Sequence, residues 1–244
     1  MLKYCKLGIN IDHIATVRNA RGGIHPNLLR AAKIVKNSKA DSITMHLRED
    51  RRHVVDKDLF EIKNNVDIPI NLEIAPTEEM IDITLSLQPH SVCFVPERRQ
   101  ELTTEGGLNI LSCIDILKKY IKLFNSKQIN VSCFIEPDLE QIKELKKLGI
   151  KCIEFHTGKY ASKFIKDEIE FQFQELKKAI EFADKIGFNC HAGHGLNFEN
   201  VSKIASIRQI KELNIGHFII GESIFSGLQY SIDKMREIID IARS

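Results

Sequence analysis

Eight short strand-like runs recur along this chain, and each is followed by helix-patterned sequence. That alternation restricts the fold more than any other feature. The strands are predicted at Cys5–Ile11, Ala40–Leu47, Ile68–Ile74, His90–Val95, Ile129–Ile135, Lys151–His156, Gly187–Cys190 and His217–Ile220. Between them, apolar spacing predicts helices over 27–38, 56–64, 77–87, 111–124, 139–148, 164–186, 201–207 and 224–242. Asn27 and Thr77 have the character of N-caps, Gly149 of a helix terminator, and Arg18–Pro26 of a basic, Gly-bearing loop. Most repeats are roughly 25 to 35 residues long, the spacing of βα units on a parallel sheet. Eight such units in 244 residues are the size of a closed (β/α)8 barrel. No linker or composition break divides the chain, so one barrel domain over 1–244 is expected. An open doubly wound sheet would call for a dinucleotide fingerprint or a P-loop, and neither motif is present.

In a barrel the strand C-terminal ends share one rim, where active sites lie. Chemically active residues concentrate at those predicted ends. They are Asn10, Asp12 and His13; His46, Arg48 and His53; Glu73; Glu154 and His156; and His191 and His194. The histidines carry the argument, because loops are polar in general. His90 and His217 alone fall at predicted strand starts. Paired His and Glu suit stepwise proton transfer near neutral pH. The run Ile43–His53 is the densest case, with two imidazoles and three guanidiniums behind a short strand, and it suits an anion. The glycines of Ala192–Gly195 and Gly216 allow the backbone to approach a phosphate. Any one of these side chains taken singly is equally compatible with a structural hydrogen bond or an ordinary turn.

Composition removes several function classes. Lys+Arg 35 against Asp+Glu 33 gives a net charge of +2, which supports neither a nucleic-acid nor a membrane-surface role. No apolar run is long enough to span a bilayer, and the N-terminus lacks signal-peptide character, so a cytoplasmic protein is expected. The six cysteines form no CxxC pair and sit mostly in apolar runs, as reduced buried thiols do. His191 and His194 are spaced i,i+3, but HExxH and comparable ligand patterns are missing, so no metal is expected. A GxSxG elbow is likewise missing. Lys159, just past the sixth strand, leaves a Schiff-base reading open.

The motifs Gly8–Thr16 with Arg18–Gly22, Ile43–His53, Asn71–Glu73, Val95–Glu97 with Glu101–Gly107, Phe134–Asp138, Ile153–Gly158, Ala192–Asn197 and Leu213–His217 resemble, in order and over almost the whole chain, the pyridoxine 5'-phosphate synthase family of vitamin B6 biosynthesis. The resemblance implies a (β/α)8 barrel with extra helices at subunit contacts, assembled as a homo-octamer of dimers. It implies a transferase that condenses 3-amino-2-oxopropyl phosphate with 1-deoxy-D-xylulose 5-phosphate, without metal or organic cofactor. By the same resemblance His46, Glu73 and His194 are the acid/base groups, and Glu154 lies near developing charge. Substrate contacts fall on Asn10, Asp12, His13, Arg21, Arg48, His53, Thr103, Gly195, Gly216 and His217, and loop 97–107 corresponds to a closing loop. This chain departs from the family pattern at His191, usually Asn, and at Glu222, near a position where many relatives carry Arg. The competing readings are a barrel isomerase or aldolase acting on one sugar phosphate, and a phosphometabolite-binding regulator without turnover.

Overall fold

Parallel pairing runs from strand to strand in chain order until the eighth meets the first, closing the barrel. The computed structural model describes residues 4–97, 106–162 and 165–244. The strands are β1 (Lys6–Asn10), β2 (Ser42–His46), β3 (Ile70–Ile74), β4 (Ser91–Phe94), β5 (Asn130–Ile135), β6 (Cys152–His156), β7 (Asn189–Gly193) and β8 (Ile210–Ile215). The surrounding helices are α1 (Asp12–Arg21), α2 (Leu28–Lys36), α3 (Asp56–Asn65), α4 (Glu78–Leu87), α5 (Ile114–Ser126), α6 (Leu139–Leu148), α7 (Gly158–Ala161), α8 (Lys166–Lys185), α9 (Val201–Ala205), α10 (His217–Ser226) and α11 (Leu228–Arg243). The fold is the anticipated (β/α)8 barrel with extra helices.

Local signals account for some boundaries. The Asn27 side chain accepts a 2.7 Å hydrogen bond from the Arg30 N–H at the start of α2. Asp138 caps α6 in the same way through the Glu140 N–H at 2.8 Å, and Gly149 ends that helix in a left-handed conformation. Thr77 occupies the N-cap position of α4, but its hydroxyl makes no capping bond. All six cysteines are free, and five of them are buried.

The eighth unit differs from its sequence reading. The strand is Ile210–Ile215, and His217–Ile220 is the first turn of α10. His217 therefore stands just beyond a strand end, on the active rim. The chain after β1 also differs, since Asp12–Arg21 is helical where a loop was expected from Arg18. Strand seven continues through His191 to Gly193, and the terminal helix is two helices joined at Gly227.

Two cores result from the period-2 alternation of the strands. The larger fills the space between barrel and helices with residues such as Leu7, Ile43, Met45, Leu72, Phe94, Phe155 and Leu213. The barrel interior is polar instead. Ser42 bonds Glu212, and Thr44 bonds Asn214, across the width of β1. Asn214 in turn donates to Glu154 at 2.7 Å, bypassing β7. A small apolar cluster of Cys93, Val95 and Phe134 completes the packing. No described helix is long and apolar enough to cross a membrane.

Candidate active site

The inward-facing positions near the strand C-termini include Asn10, His46, Glu73 and Glu154. Register makes His46 and Glu73 direct neighbours on β2 and β3. Above them opens a cavity of about 580 Å3. Every residue anticipated as an acid/base or substrate group lines it, with two exceptions. Arg21 is exposed at the end of α1 and does not reach the cavity. Thr103, like nearly all of loop 97–107, lies outside the described residues.

His46 sits between two carboxylates. Its Nε2 is 2.9 Å from Glu97 Oε1, and its Nδ1 is 4.0 Å from Glu73 Oε2. The His46 backbone N–H donates to Asp12 at 2.9 Å, and Asn10 donates to the other oxygen of Asp12 at 2.8 Å. Asp12 thereby ties β1 to β2 beneath the ligand space. The His53 ring stands 5.8 Å from that of His46. His13 and His217 pack edge to face at 4.7 Å, as do His156 and His194 at 4.8 Å. His194 and Gly195 both have positive φ, 82° and 80°. A side chain at Gly195 would also meet Ala161, 2.7 Å from its Cβ.

Burial and like charge set the protonation of this cavity. Glu73 is held well above the usual carboxylate range by burial and by repulsion from Glu154 and Asp12. Burial lifts Glu154 to about 8, opposed by the Asn214 hydrogen bond. Burial pushes His194 down to about 4, with His156 and His217 adding to the effect. His13 and His53 are lowered for the same first reason. Glu97 goes the other way. Burial raises it, but the His46 hydrogen bond and charge, the Glu49 N–H and Arg48 together bring it below its ordinary value. The cavity thus favours the protonated form of Glu73 and Glu154 and the neutral form of His13, His53 and His194.

The loop after β2 sorts the arginines. Arg48 is buried and points its Nε toward Asp50 at 3.4 Å. Arg52 lines the cavity and pairs with Asp50 at 2.6 Å. The Arg52 hydrogen bond is the main reason that Asp50 is lowered to about 2. Arg51 turns away and pairs with Asp56 at 2.8 Å and Glu79 at 2.5 Å. Of the three guanidiniums in the run Ile43–His53, Arg48 and Arg52 line the cavity, while Glu97, Asn214 and Phe134 line or brace the site without having been singled out from sequence.

The two departures lie off the rim. His191 is inside β7, in register with Glu154 and Glu212, and is pushed down to about 4 by burial and by Lys6. Glu222 lies on α10 and does not line the cavity. Lys159 is 62% exposed and paired with Glu136 at 3.0 Å, which argues against a Schiff-base lysine. Asp12, His46 and His53 bring possible metal donors within 4.8 Å of one another. Both Asp12 oxygens and His46 Nε2 already face protein hydrogen-bond partners.

Comparison with known proteins agrees with this geometry. Residues 7–241 match the family model described as pyridoxal phosphate biosynthesis protein PdxJ. The pyridoxine 5'-phosphate synthase of Zymomonas mobilis subsp. mobilis is 50% identical over 244 residues, covering 100% of this chain and 95% of the relative. That of Sulfurihydrogenibium sp. is 50% identical over 241 residues, covering 98% and 99%. Among solved structures, thiamine phosphate pyrophosphorylase from Pyrococcus furiosus aligns over 97% of this chain and 96% of its own, with a TM-score of 0.62 and 14% identity. A likeness at that identity speaks to the barrel alone. With the family model spanning nearly the whole chain and relatives at half identity covering it end to end, the chain belongs to the PdxJ, or pyridoxine 5'-phosphate synthase, family.

Proposed function

We propose that this protein, a single barrel domain over 1–244, condenses 3-amino-2-oxopropyl phosphate with 1-deoxy-D-xylulose 5-phosphate. The products are pyridoxine 5'-phosphate, inorganic phosphate and water. The observation that carries the reading is the union of two carboxyls, Glu73 and Glu154, with His46 and His194 around one cavity. The substrate amine must attack a ketone and lose water to give an imine. Phosphate and further water then leave as the ring closes and aromatises. Each step moves protons, so several acids and bases are needed around one ligand.

Glu73, whose protonated form is favoured by burial, is assigned the imine-forming transfers, giving a proton to the departing hydroxyl. His46, between Glu73 and Glu97, is assigned enolisation and ring closure. His194 is the acid or relay for a leaving oxygen, and Glu154 meets the charge that develops on the ring nitrogen. Asn10, Asp12, His13, Arg48, His53, Gly195, Gly216 and His217 hold the substrates, with Arg48 and the imidazoles taking the phosphates. Thr103 and loop 97–107 belong to the same reading as a closing element that keeps water from reactive intermediates.

The protein is proposed to act in the cytoplasm as a homo-oligomer, an octamer in the family's manner. Ile24, Ile224 and Phe225 are 76%, 75% and 88% exposed, an apolar surface that subunit contacts would cover. Arg21, exposed on α1, is assigned to reach a neighbouring copy. Light scattering of the purified protein tests the assembly.

Metal-free protein is mixed with both substrates, and pyridoxine 5'-phosphate and released phosphate are measured. Both products are expected, and the appearance of neither overturns the reading. Turnover of one sugar phosphate alone would favour an isomerase or aldolase instead.

A further inference from the structure

Glu136 has no role in the chemistry above, yet its surroundings are built. It follows β5, and its Oε1 is 2.6 Å from His156 Nδ1. Its Oε2 is 3.0 Å from Lys159 Nζ. Burial opposes its charge, but His156 and Lys159 outweigh burial and bring it down to about 2. It is therefore an ionised acceptor throughout the working range, and the proton of the bond belongs to His156 Nδ1.

His156 is the last residue of β6 and is 8% exposed. Its Nε2 is buried without a hydrogen-bond partner among the described residues, held under Gly158, where a Cβ would come within 2.3 Å of it. The ring meets His194 edge to face at 4.8 Å, with Phe134 packed 5.1 Å from His156 and 6.4 Å from His194. His194 needs such support. Its φ of 82° is a conformation that side-chain-bearing residues seldom adopt. The residue after His156 grips the same turn, since the Thr157 hydroxyl is 2.5 Å from the His194 carbonyl oxygen and 2.8 Å from that of Gly193. The end of β6 thus holds the β7 turn by its backbone through Thr157 and by its side chain through His156.

We propose that Glu136 and His156 are positioning residues for His194, with Glu136 fixing the His156 ring and that ring fixing the His194 imidazole in the cavity. The proposal rests on the assignment of His194 as an acid or relay. It extends that assignment to a chain of three side chains from three successive βα junctions, in the way that an outer carboxylate orients a working histidine. The titratable groups facing His194 are His156, His217 and Glu136, with Lys159 behind Glu136.

The test uses the full-length protein with both phosphorylated substrates and three variants. Glu136→Gln keeps the shape and removes the charge. His156→Phe keeps a ring against His194 and loses the donor. His156→Asn keeps a donor toward Glu136 and loses the ring. Each should lower kcat about ten- to a hundredfold, the usual cost of losing such an outer partner, with KM changed less than about threefold. His156→Phe should also move the NMR titration of the His194 imidazole upward, because one of the groups depressing it is gone. A role limited to packing would lower Tm and leave kcat and the His194 titration in place, and that result overturns the proposal. A rise in KM with kcat intact overturns it as well. Glu136 has 24% side-chain exposure, so Glu136→Gln remains informative if the His156 variants fold poorly. Wild-type protein without turnover would sink the proposed function, while the His194 titration in His156→Phe would still decide on the positioning pair.

Discussion

A Cβ on Gly193 would lie 2.6 Å from Oε1 of Glu154 and 2.8 Å from the carbonyl oxygen of Asn214. Strand β7 is bare at the point where the β6 carboxyl needs room to receive the Asn214 amide. Gly193→Ala should therefore displace Glu154 or spread the strands, costing about 1–3 kcal/mol of stability by overpacking. Turnover should fall at least about tenfold, the scale on which misplaced groups lose rate. Gly221→Ala is the control. That position lies in α10 with nothing within 4 Å, so it should be neutral or slightly stabilising. Urea denaturation with steady-state kinetics on both variants checks the contrast, and equal behaviour would remove the steric argument.

Glu154 should make the fold less stable as pH rises. Its pKa is about 8 in the folded chain against an ordinary 4.5. Between those values the folded state keeps a proton that the unfolded state has released. Stability therefore declines with pH across that window, by at most about 1.4 kcal/mol per pH unit for one proton, and levels above it. Glu154→Gln lacks the ionisation and should gain on the wild type from about pH 5 to 8, with a constant difference beyond. Denaturation midpoints at several pH values decide this, and a difference independent of pH would refute it.

Substrate binding should draw protons from solution. His13, His53 and His194 are held below the ordinary imidazole range, chiefly by burial in the cavity. Phosphate groups beside them favour the charged form and raise all three. Glu73 and Glu154 already favour the protonated form through burial and have little to add. Calorimetric titration with 1-deoxy-D-xylulose 5-phosphate in buffers of different ionisation enthalpy, near the ordinary imidazole pKa of about 6.5, should show net proton uptake. Replacing His53 with Gln should reduce it. Proton release would contradict a cavity that favours neutral imidazoles and protonated carboxyls.

The strands that place this site are legible because their outer faces are apolar at period 2. The eighth is the exception, for a physical reason. Its inward residues Glu212 and Asn214 bond Ser42 and Glu154 inside a polar barrel, so Ile210–Ile215 lacks the apolar density of a strand. His217–Ile220 has that density because Ile219 and Ile220 are the buried residues of α10. The misplaced strand hid Asn214 and put His217 at the wrong end of its unit. Helix α1 was missed because Thr16 and Val17 are β-branched and the helix buries only Asp12, Ile14 and Ala15. His46, Glu73 and His194 were legible through the family motifs, while Glu97 and Glu136 were not singled out. Each adjoins a proline at a strand end, Pro96 and Pro137, and that placement was the available signal.

Glu97 leads to the last prediction, and Arg51 is its foil. Both flank the dense charge cluster that follows β2. Glu97 holds His46 Nε2 at 2.9 Å and accepts from the Glu49 N–H at 3.1 Å, so one carboxylate joins the loop after β2 to the loop after β4. Removing it frees the His46 ring to rotate and takes away its Nε2 partner. Glu97→Gln should lower kcat about tenfold and Glu97→Ala more, with small effects on KM, and Glu97→Asp should recover part of the loss. Arg51 makes more contacts, with Asp56, Glu79 and the backbone carbonyls of Arg48 and Glu49, yet its own side chain does not line the cavity. Arg51→Ala should leave kcat and KM unchanged and cost no more than about 1 kcal/mol of stability, as partly exposed pairs do. Kinetics and denaturation on the four variants separate the two roles. A larger loss of kcat in Arg51→Ala than in Glu97→Gln would mean that the loop after β2 acts on the reaction through its arginine and not through the brace on His46.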